Sequence, residues 1–384
     1  NYWRRININL LQLHDYIPAA IEALQFESAG EALSYALSID QKNQYTWFLV
    51  AIYLGETGKV EEATKIYYEL IRNEPDKDQY KYQLGLNLFL LGEHSDALKL
   101  FAYRANNLGV ASLPNQLCRV TSESGLTIYL TEEQGLGDQI MFLQFLHFLK
   151  PKENLITVEI DVRLIPIYEN EFPSVEFVKR NPNRSCVANS ITSPIGDLFV
   201  AFFMPYIRAG KFTIVGSDLP SIREAQIGDN KKTIGISWAT VATYGALKRS
   251  IPIAFILEQL DANEHHLIVL QYLAQKEDLE KISQSGFTFE EVNEGYSDIF
   301  AVAKAIKKCD LVATIDNYIL HLSGALGTET LAMLPLNCSY RWGLKKETSF
   351  FYENVTLSRQ VRPTDWTAPL SDLKIRSRGL YFDD

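Results

Sequence analysis

Three loops of the sequence carry side chains that could bind a phosphate or move a proton. The first, residues 131–140, contains Gly135, Gly137 and Asp138 between a strand-like run and a helix-like run. Its glycines permit a close backbone approach to a ligand, and a helix start offers unpaired N–H groups and a positive dipole end. Asp138 could act there as a general base or cap the helix, and spacing alone favours the cap.

The second loop, residues 237–250, combines hydroxyl groups with cations. Ser237 and Thr240 follow a strand-like run, and Lys248 and Arg249 precede a helix-like run. These side chains could hold a diphosphate through charge-assisted hydrogen bonds, although solvated cations are common in loops. The loop is therefore a second candidate phosphate site.

The third loop, residues 314–327, has Asp316 at the end of a strand-like run and His321 in the helix-like run that follows. Residues 323–325 are small, so this helix can lie close to a sheet with its N-terminal amides facing a cleft. A single histidine at such a position is more often structural than catalytic. Three such loops together indicate a ligand site more strongly than any one of them.

The loops belong to a region in which strand-like and helix-like runs alternate from about Gly125. Strand-like runs lie at 126–130, 155–160, 175–178, 233–238, 267–271, 287–292, 311–315 and 329–334. Helix-like runs lie at 136–149, 252–260, 276–285, 298–308 and 320–326. Such alternation predicts parallel sheets covered by helices, with ligands beyond the carboxyl ends of the strands. Two sets in tandem predict two Rossmann-like lobes that meet near Gly228, with a cleft between them.

About the first 110 residues follow a different pattern, a repeat. Gly58 and Gly92 lie 34 positions apart, as do Ala63 and Ala97, and a weaker copy precedes them from about residue 13. The small residues let two antiparallel helices approach, and the glycines end the first helix of each pair. A period of this length is typical of tetratricopeptide repeats.

Composition excludes several classes of protein. The 384 residues include 37 basic and 47 acidic ones, for a net charge of −10, and no basic cluster that would favour nucleic acid as a partner. The four cysteines (Cys118, Cys186, Cys309 and Cys338) are far apart, which favours neither a disulfide framework nor a zinc site. No run of about 18 apolar residues occurs, so the sequence predicts a cytoplasmic protein without a membrane span.

Four sequence blocks resemble bacterial tetratricopeptide-repeat proteins that end in a heptosyltransferase-like glycosyltransferase domain. They are E-Q-G-L-G-D-Q-I-M-F (133–142), I-G-I-S-W (234–238) with K-R-S-I-P (248–252), D-N-Y-I-L-H-L-S-G-A-L-G (316–327), and R-W-G-L (341–344) with R-Q-V-R-P-T-D-W (359–366). The resemblance covers essentially the whole chain. It implies an α plus α/β fold, with tetratricopeptide helical repeats followed by a GT-B-like pair of Rossmann-like lobes. The implied boundaries are 1–110 for the repeats, 111–228 for the acceptor-side lobe and 229–384 for the nucleotide-sugar lobe.

The resemblance also implies a reaction, the transfer of a sugar from a nucleotide-diphosphate sugar to an acceptor, without a metal ion or a bound cofactor. It implies that Asp138 is the base that deprotonates the acceptor, and that Gln134, Gly135 and Gly137 belong to the acceptor-side loop. The implied donor-binding residues are Ser237, Thr240, Lys248, Arg249, Gln271, Asp316, Asn317 and His321.

The repeats would present an acceptor protein or glycan to the cleft, or mediate self-association, because stacked helix pairs offer a concave surface. Two residues depart from the pattern of the resembled proteins. Tyr318 stands where they have a small residue and is expected to narrow or block the sugar pocket, and Ala239 replaces a polar residue. Two alternatives therefore stay open, a binding or scaffold protein with inactive lobes and a hydrolase of nucleotide sugars.

Overall fold

The computed structural model describes residues 8–107, 111–181, 190–209, 231–240, 245–292 and 297–379. Its N-terminal part is helical, and two separate parallel sheets with flanking helices follow. This arrangement agrees with the predicted order of a helical region and two α/β lobes. The predicted meeting point of the lobes near Gly228 lies outside the described residues, as does Cys186.

The helical part consists of three consecutive helix pairs joined by short turns. They are α1 (Leu10–Glu22) with α2 (Phe26–Ile39), α3 (Gln44–Glu56) with α4 (Val60–Asn73), and α5 (Asp78–Leu91) with α6 (His94–Phe101). Gly92 ends α5 in the left-handed conformation, and Gly58 takes the same conformation just after α3. A Cβ atom on Gly85 would lie 3.0 Å from Cβ of Leu100, which shows how closely α5 and α6 approach. The predicted roles of the small residues and the turn glycines are confirmed.

The first sheet has four parallel strands in the order β3-β2-β1-β4. The strands are β1 (Thr127–Thr131), β2 (Leu155–Ile160), β3 (Val175–Lys179) and β4 (Ile191–Pro194). Its helices are α7 (Pro114–Leu117), α8 (Leu136–Leu143), α9 (Ile165–Glu171) and α10 (Asp197–Ala209). The helix predicted over 136–149 ends at Leu143, and a 3-10 turn from Leu146 to Leu149 follows it. Strand β4 was not predicted, because its four residues end in a proline and show no clear alternation.

The second sheet has six parallel strands in the order β10-β9-β8-β5-β6-β7. The strands are β5 (Lys232–Ser237), β6 (His265–Val269), β7 (Thr288–Glu291), β8 (Leu311–Ile315), β9 (Thr330–Leu334) and β10 (Val355–Arg359). The helices are α11 (Ala246–Arg249), α12 (Ile253–Leu257), α13 (Lys276–Gln284), α14 (Ile299–Lys307), α15 (Tyr318–Ala325) and α16 (Thr367–Ser377). The five predicted strands of this set are present, and β10 and α16 extend it.

Two apolar cores hold these parts together. One runs from the helix pairs through the first lobe to one face of the second sheet, and the other covers the opposite face of that sheet. Aromatic rings join the parts, with Phe101 and Phe199 at 5.3 Å and Phe101 and Tyr340 at 5.3 Å between centroids. Because burial of this kind is the main source of stability, the helix pairs and the lobes form one packed unit.

Candidate functional site

A cleft of about 360 Å³ lies between the two lobes, at the carboxyl ends of β1, β5, β6 and β8. All three candidate loops contribute to it. The predicted site residues in its lining are Gly135, Gly137, Asp138, Ser237, Thr240, Arg249, Gln271, Asp316, Asn317 and His321. The lining also contains Leu136, Ala239, Tyr272, Tyr318 and Arg341. Gln134 and Lys248 are outside this lining.

Helix α8 of the first lobe contacts helix α15 of the second lobe at Gly137. A Cβ atom on Gly137 would lie 2.8 Å from Cδ2 of His321 and 3.4 Å from Cα of Tyr318, so a larger residue would push the helices apart. The glycine is therefore required by the contact between the lobes. Gln134, in the turn before α8, has a φ of 58°, a left-handed conformation that is uncommon outside glycine and often marks functional loops.

Asp138 does not cap helix α8. The helix begins at Leu136 with Gly135 as its N-cap, so Asp138 is the third helical residue. An N-cap side chain accepts a hydrogen bond from the amide of the second or third helical residue, so Asp138 stands at the donor position and not at the cap. Its Oδ1 atom accepts a hydrogen bond from Nη2 of Arg341, in an ion pair between the two lobes. The capping interpretation is wrong, and the carboxylate faces the cleft instead.

Arg341 is the site residue that sequence reasoning missed. It lies in the 3-10 turn from Tyr340 to Trp342, after β9, and stacks 4.5 Å above the ring of Tyr340. Burial alone would lower the pKa of its guanidinium, but the charge of Asp138 holds that pKa above its usual range. The R-W-G-L block contained Arg341, but no spacing rule links it to a carboxylate 203 positions away.

Arg359, at the end of β10, positions the turn that carries Arg341. Its guanidinium donates to the carbonyl of Trp342 at 2.6 Å, to that of Gly343 at 3.1 Å and to that of Lys346 at 2.6 Å. Three bonds from one planar group leave the turn little freedom. The backbone position of Arg341 is therefore fixed even where its side chain can move.

His321 is a buried, neutral side chain beside the ion pair. Its Nδ1 atom lies 3.0 Å from the hydroxyl of Tyr352, and its ring packs against Trp342 with centroids 5.0 Å apart. Burial lowers the pKa of His321 well below its usual value, and the charge of Arg341 lowers it further. His321 therefore contributes no positive charge to the cleft at neutral pH.

Asp316 and Asn317 connect β8 to α15 and hold neighbouring parts of the cleft in place. Oδ1 of Asp316 accepts from Nε1 of Trp342 at 2.9 Å, and its carbonyl accepts from Nη1 of Arg249 at 3.0 Å. Asn317 caps α15 by accepting from the amide of Ile319 at 3.0 Å, and it donates to Oγ of Ser237 at 2.8 Å. Both side chains thus orient the start of α15 towards the cleft.

Gln271 fixes the loop after β5. Its Oε1 atom accepts from the amides of Trp238 at 2.9 Å and Ala239 at 2.8 Å. Its Nε2 atom donates to the carbonyls of Ala239 at 3.1 Å and Tyr272 at 2.8 Å. In the structure Gln271 therefore shapes the cleft wall through the backbone around it.

Lys248 points away from the cleft towards the helix pairs. Its Nζ atom lies 2.8 Å from both carboxylate oxygens of Glu56, at the end of α3. The amide of Gly245 donates to Oε1 of Glu22, at the end of α1, at 2.5 Å. A contact of Lys248 with a diphosphate would require the ammonium group to leave Glu56.

No group of three His, Cys, Asp or Glu side chains within the ranges given above is arranged to hold a metal ion. No helix in that part of the chain is long and apolar enough to cross a membrane.

No protein-family model and no curated protein sequence matches this chain. Among solved structures, a glycosyl transferase family 9 protein from Veillonella parvula DSM 2008 is similar at 12% identity, covering 68% of this chain and 93% of that one, with a TM-score of 0.44. A lysine-to-methionine variant of the O-GlcNAc transferase from Thermobaculum terrenum is similar at 9% identity over 86% of this chain, with a TM-score of 0.32. This chain spans 52% of the length of the second protein.

Proposed function

We propose that this chain is a glycosyltransferase of the GT-B type, which moves a sugar from a nucleotide-diphosphate sugar to an acceptor. The observation that carries the proposal is the composition of the cleft. A carboxylate from the first lobe, Asp138, faces two arginines from the second lobe, Arg249 and Arg341, beside the start of α15. Paired α/β lobes with a base on one side and cations on the other suit the transfer of a group from a diphosphate.

The donor diphosphate would bind at the start of α15, next to Arg249. The positive dipole end of this helix attracts anions, and arginine binds phosphate oxygens through paired hydrogen bonds. Positive charge from these groups would replace that of a metal ion when the diphosphate departs. Tyr318, in the cleft lining, would restrict the size of the transferred sugar.

The reaction would need one base. Asp138 would take the proton from the acceptor hydroxyl or amide while the acceptor atom forms its bond to the anomeric carbon. The bond from that carbon to the diphosphate oxygen would break, and the electron pair would leave with the nucleoside diphosphate. Arg249 and the amides of α15 would stabilise the charge that develops there.

The acceptor would be a protein or glycan presented by the helix pairs, which we propose to be tetratricopeptide repeats of a cytoplasmic protein. Two contacts favour this role, because Glu22 and Glu56 of the helix pairs hold the loop that carries Arg249. An acceptor bound to the helix pairs would therefore stand at a fixed position relative to the donor. The same helices could join two copies of the chain.

A scaffold with inactive lobes is the second candidate. Two observations favour it, because Arg341 already binds the carboxylate of Asp138 and Tyr318 occupies part of the cleft wall. An inactive protein would bind neither the nucleotide nor its sugar conjugate at this cleft. Binding therefore distinguishes the two candidates before any acceptor is known.

The test is a thermal-shift screen with ADP, UDP, GDP and CMP and their sugar conjugates. A ligand present at 100 times its Kd adds roughly 2.7 kcal/mol to the free energy of unfolding. We expect stabilisation by at least one of these nucleotides, and release of the nucleotide from its sugar conjugate when an acceptor is present. If none of them stabilises the protein, the result would contradict the glycosyltransferase and favour the scaffold with inactive lobes.

Once a donor has been identified, the variant Asp138→Asn tests whether Asp138 is the general base. The side chain keeps its size, and turnover should fall roughly 100-fold or more, which is the usual scale for the loss of a general base. Glu132→Gln is the matched control, because it removes a carboxylate from the same loop outside the cleft lining. Equal turnover in the two variants would remove Asp138 from the mechanism.

A further inference from the structure

The guanidinium of Arg341 has hydrogen-bonding capacity that the described residues do not use. It carries five N–H donors, and its recorded partners are Oδ1 of Asp138 and Oγ of Ser339. Its Nε atom is buried and has no hydrogen-bond partner in the part of the chain that the structure describes. A buried donor without a partner costs free energy, so this arrangement is one that an additional acceptor would improve.

The carboxylate of Asp138 is also incompletely bonded. Its ion pair uses Oδ1, and Oδ2 has no hydrogen bond to any of the described residues. The two side chains are 16% and 17% exposed, so the pair lies at the cleft surface rather than inside a core. An anion entering the cleft can therefore reach the guanidinium without unfolding the protein around it.

The cleft offers few other cations to such an anion. Among the described residues that line the cleft, the lysine or arginine side chains are Arg249 and Arg341. Lys248 lies outside this lining and is bonded to Glu56. A diphosphate carries more negative charge than a carboxylate and presents several oxygens to a planar guanidinium. It would thus compete well with Asp138 for Arg341.

We propose that Arg341 binds the donor diphosphate and that this contact replaces its ion pair with Asp138. The inference rests on the function proposed above. Without a donor, the guanidinium occupies Oδ1 of the carboxylate, so this oxygen is not available for the acceptor proton. When the diphosphate binds, Oδ1 of Asp138 loses its partner and can take the acceptor proton. The proton then resides on Asp138, and the electron pair of the broken bond resides on the nucleoside diphosphate, next to Arg341.

Calorimetric titration tests this exchange, with the nucleoside diphosphate that stabilises the protein most and with the corresponding nucleoside. Arg341→Met should weaken diphosphate binding by about 10- to 100-fold, the usual range for a hydrogen bond to a charged group, and leave nucleoside binding unchanged. Arg119→Met is the matched control, because it removes an arginine outside the cleft lining, and it should leave diphosphate binding close to that of the wild type. If Arg341→Met does not fold, Arg341→Gln removes the same charge and carries the same expectation.

The double variant tests the competition itself. Asp138→Asn should tighten diphosphate binding in the wild-type background, because it releases Arg341, and should change it much less in the Arg341→Met background. An equal change in both backgrounds would mean that Asp138 repels the diphosphate directly, and the exchange would be wrong. Wild-type affinity in Arg341→Met would also overturn the inference while leaving the proposed function intact. A wild-type protein that binds no nucleoside diphosphate would overturn both.

Discussion

Arg104 and Arg341 lie outside the first lobe and bind its carboxylates in very different surroundings. Arg104, in the 3-10 turn after α6, binds Glu133 at 2.7 Å and Asp197 at 3.0 Å, and the three side chains are 3%, 1% and 0% exposed. Asp197 also accepts from Oγ of Ser193 at 2.5 Å and from the amide of Leu113 at 2.7 Å. Arg341 binds one oxygen of Asp138 at the cleft, and its buried Nε atom has no hydrogen-bond partner among the described residues.

This difference separates two kinds of ion pair. The buried pairs of Arg104, called the closed cluster below, stabilise the fold. The pair of Arg341 and Asp138, called the open pair, lies at the cleft, where a ligand can break it. The Arg104 cluster is buried and its carboxylates have several donors each, so removing one charge leaves another buried and uncompensated. The Arg341 pair lies where water or a ligand can take the place of either partner. Charge alone does not distinguish the two pairs, whereas burial and the number of satisfied hydrogen bonds do.

The largest expected effect follows from breaking the closed cluster. Arg104→Met should lower the free energy of unfolding by about 3 to 5 kcal/mol, because Glu133 and Asp197 would lose their buried cationic partner. Urea unfolding of the variant and the wild type measures the difference.

The control for this variant is Arg119→Met, which removes an arginine whose partner Glu123 is also at the surface. Exposed pairs contribute little to stability, so its unfolding curve should overlay that of the wild type. If Arg104→Met were as stable as the control, the Arg104 cluster would not be the structural pair that its burial indicates.

The second prediction concerns pH and the histidine next to the open pair. The pKa of His321 is lowered in the folded protein, by burial first and by Arg341 second, so protons bind more readily to the unfolded chain. His321 therefore contributes stability above its unfolded pKa of about 6.5, and this contribution is lost as the pH falls towards its folded pKa. The loss should reach about 1.4 kcal/mol for each pH unit below 6.5.

The measurement is a series of urea unfolding curves from pH 7 to pH 5 for the wild type and His321→Gln. Other histidines with lowered pKa values, such as His94 and His147, also lose stability in acid, so only the difference between the two proteins reports on His321. The stability advantage of the wild type should shrink as the pH falls. Parallel curves would show that His321 titrates normally in the folded protein.

Much of the fold follows from local sequence, and the pairing of charges does not. The repeat spacing indicates the helix pairs, and apolar runs between loops predict eight of the strands, because both patterns depend on neighbouring residues. Strands β4 and β10 and the true end of α8 were missed, since short runs leave too little periodicity to interpret. The three loops do meet at one cleft, because parallel strands bring their carboxyl ends to one edge.

Local sequence patterns do not predict which partner an individual charged side chain binds. Lys248 and Arg249 are adjacent in the sequence, yet one binds Glu56 of the helix pairs and the other binds the carbonyl of Asp316 in the cleft. Which of the two faces the ligand depends on how the helix pairs pack against the second lobe. That packing joins residues almost 200 positions apart, which no motif encodes.

The smallest expected effect comes from the pair of Lys248 and Glu56, which is about as exposed as the pair of Arg341 and Asp138. Their side chains are 21% and 10% exposed, so water still solvates part of both charges. A double-mutant cycle with Lys248→Met and Glu56→Gln should give a coupling energy of roughly 0.5 to 1 kcal/mol in urea unfolding, near the upper end for exposed pairs. The same cycle measured on nucleoside diphosphate binding should give almost none, since neither side chain lines the cleft. A loss of diphosphate affinity in Lys248→Met that matches the loss in Arg341→Met would mean that Lys248 leaves Glu56 for the ligand, and the pair would then belong with the open one at Arg341.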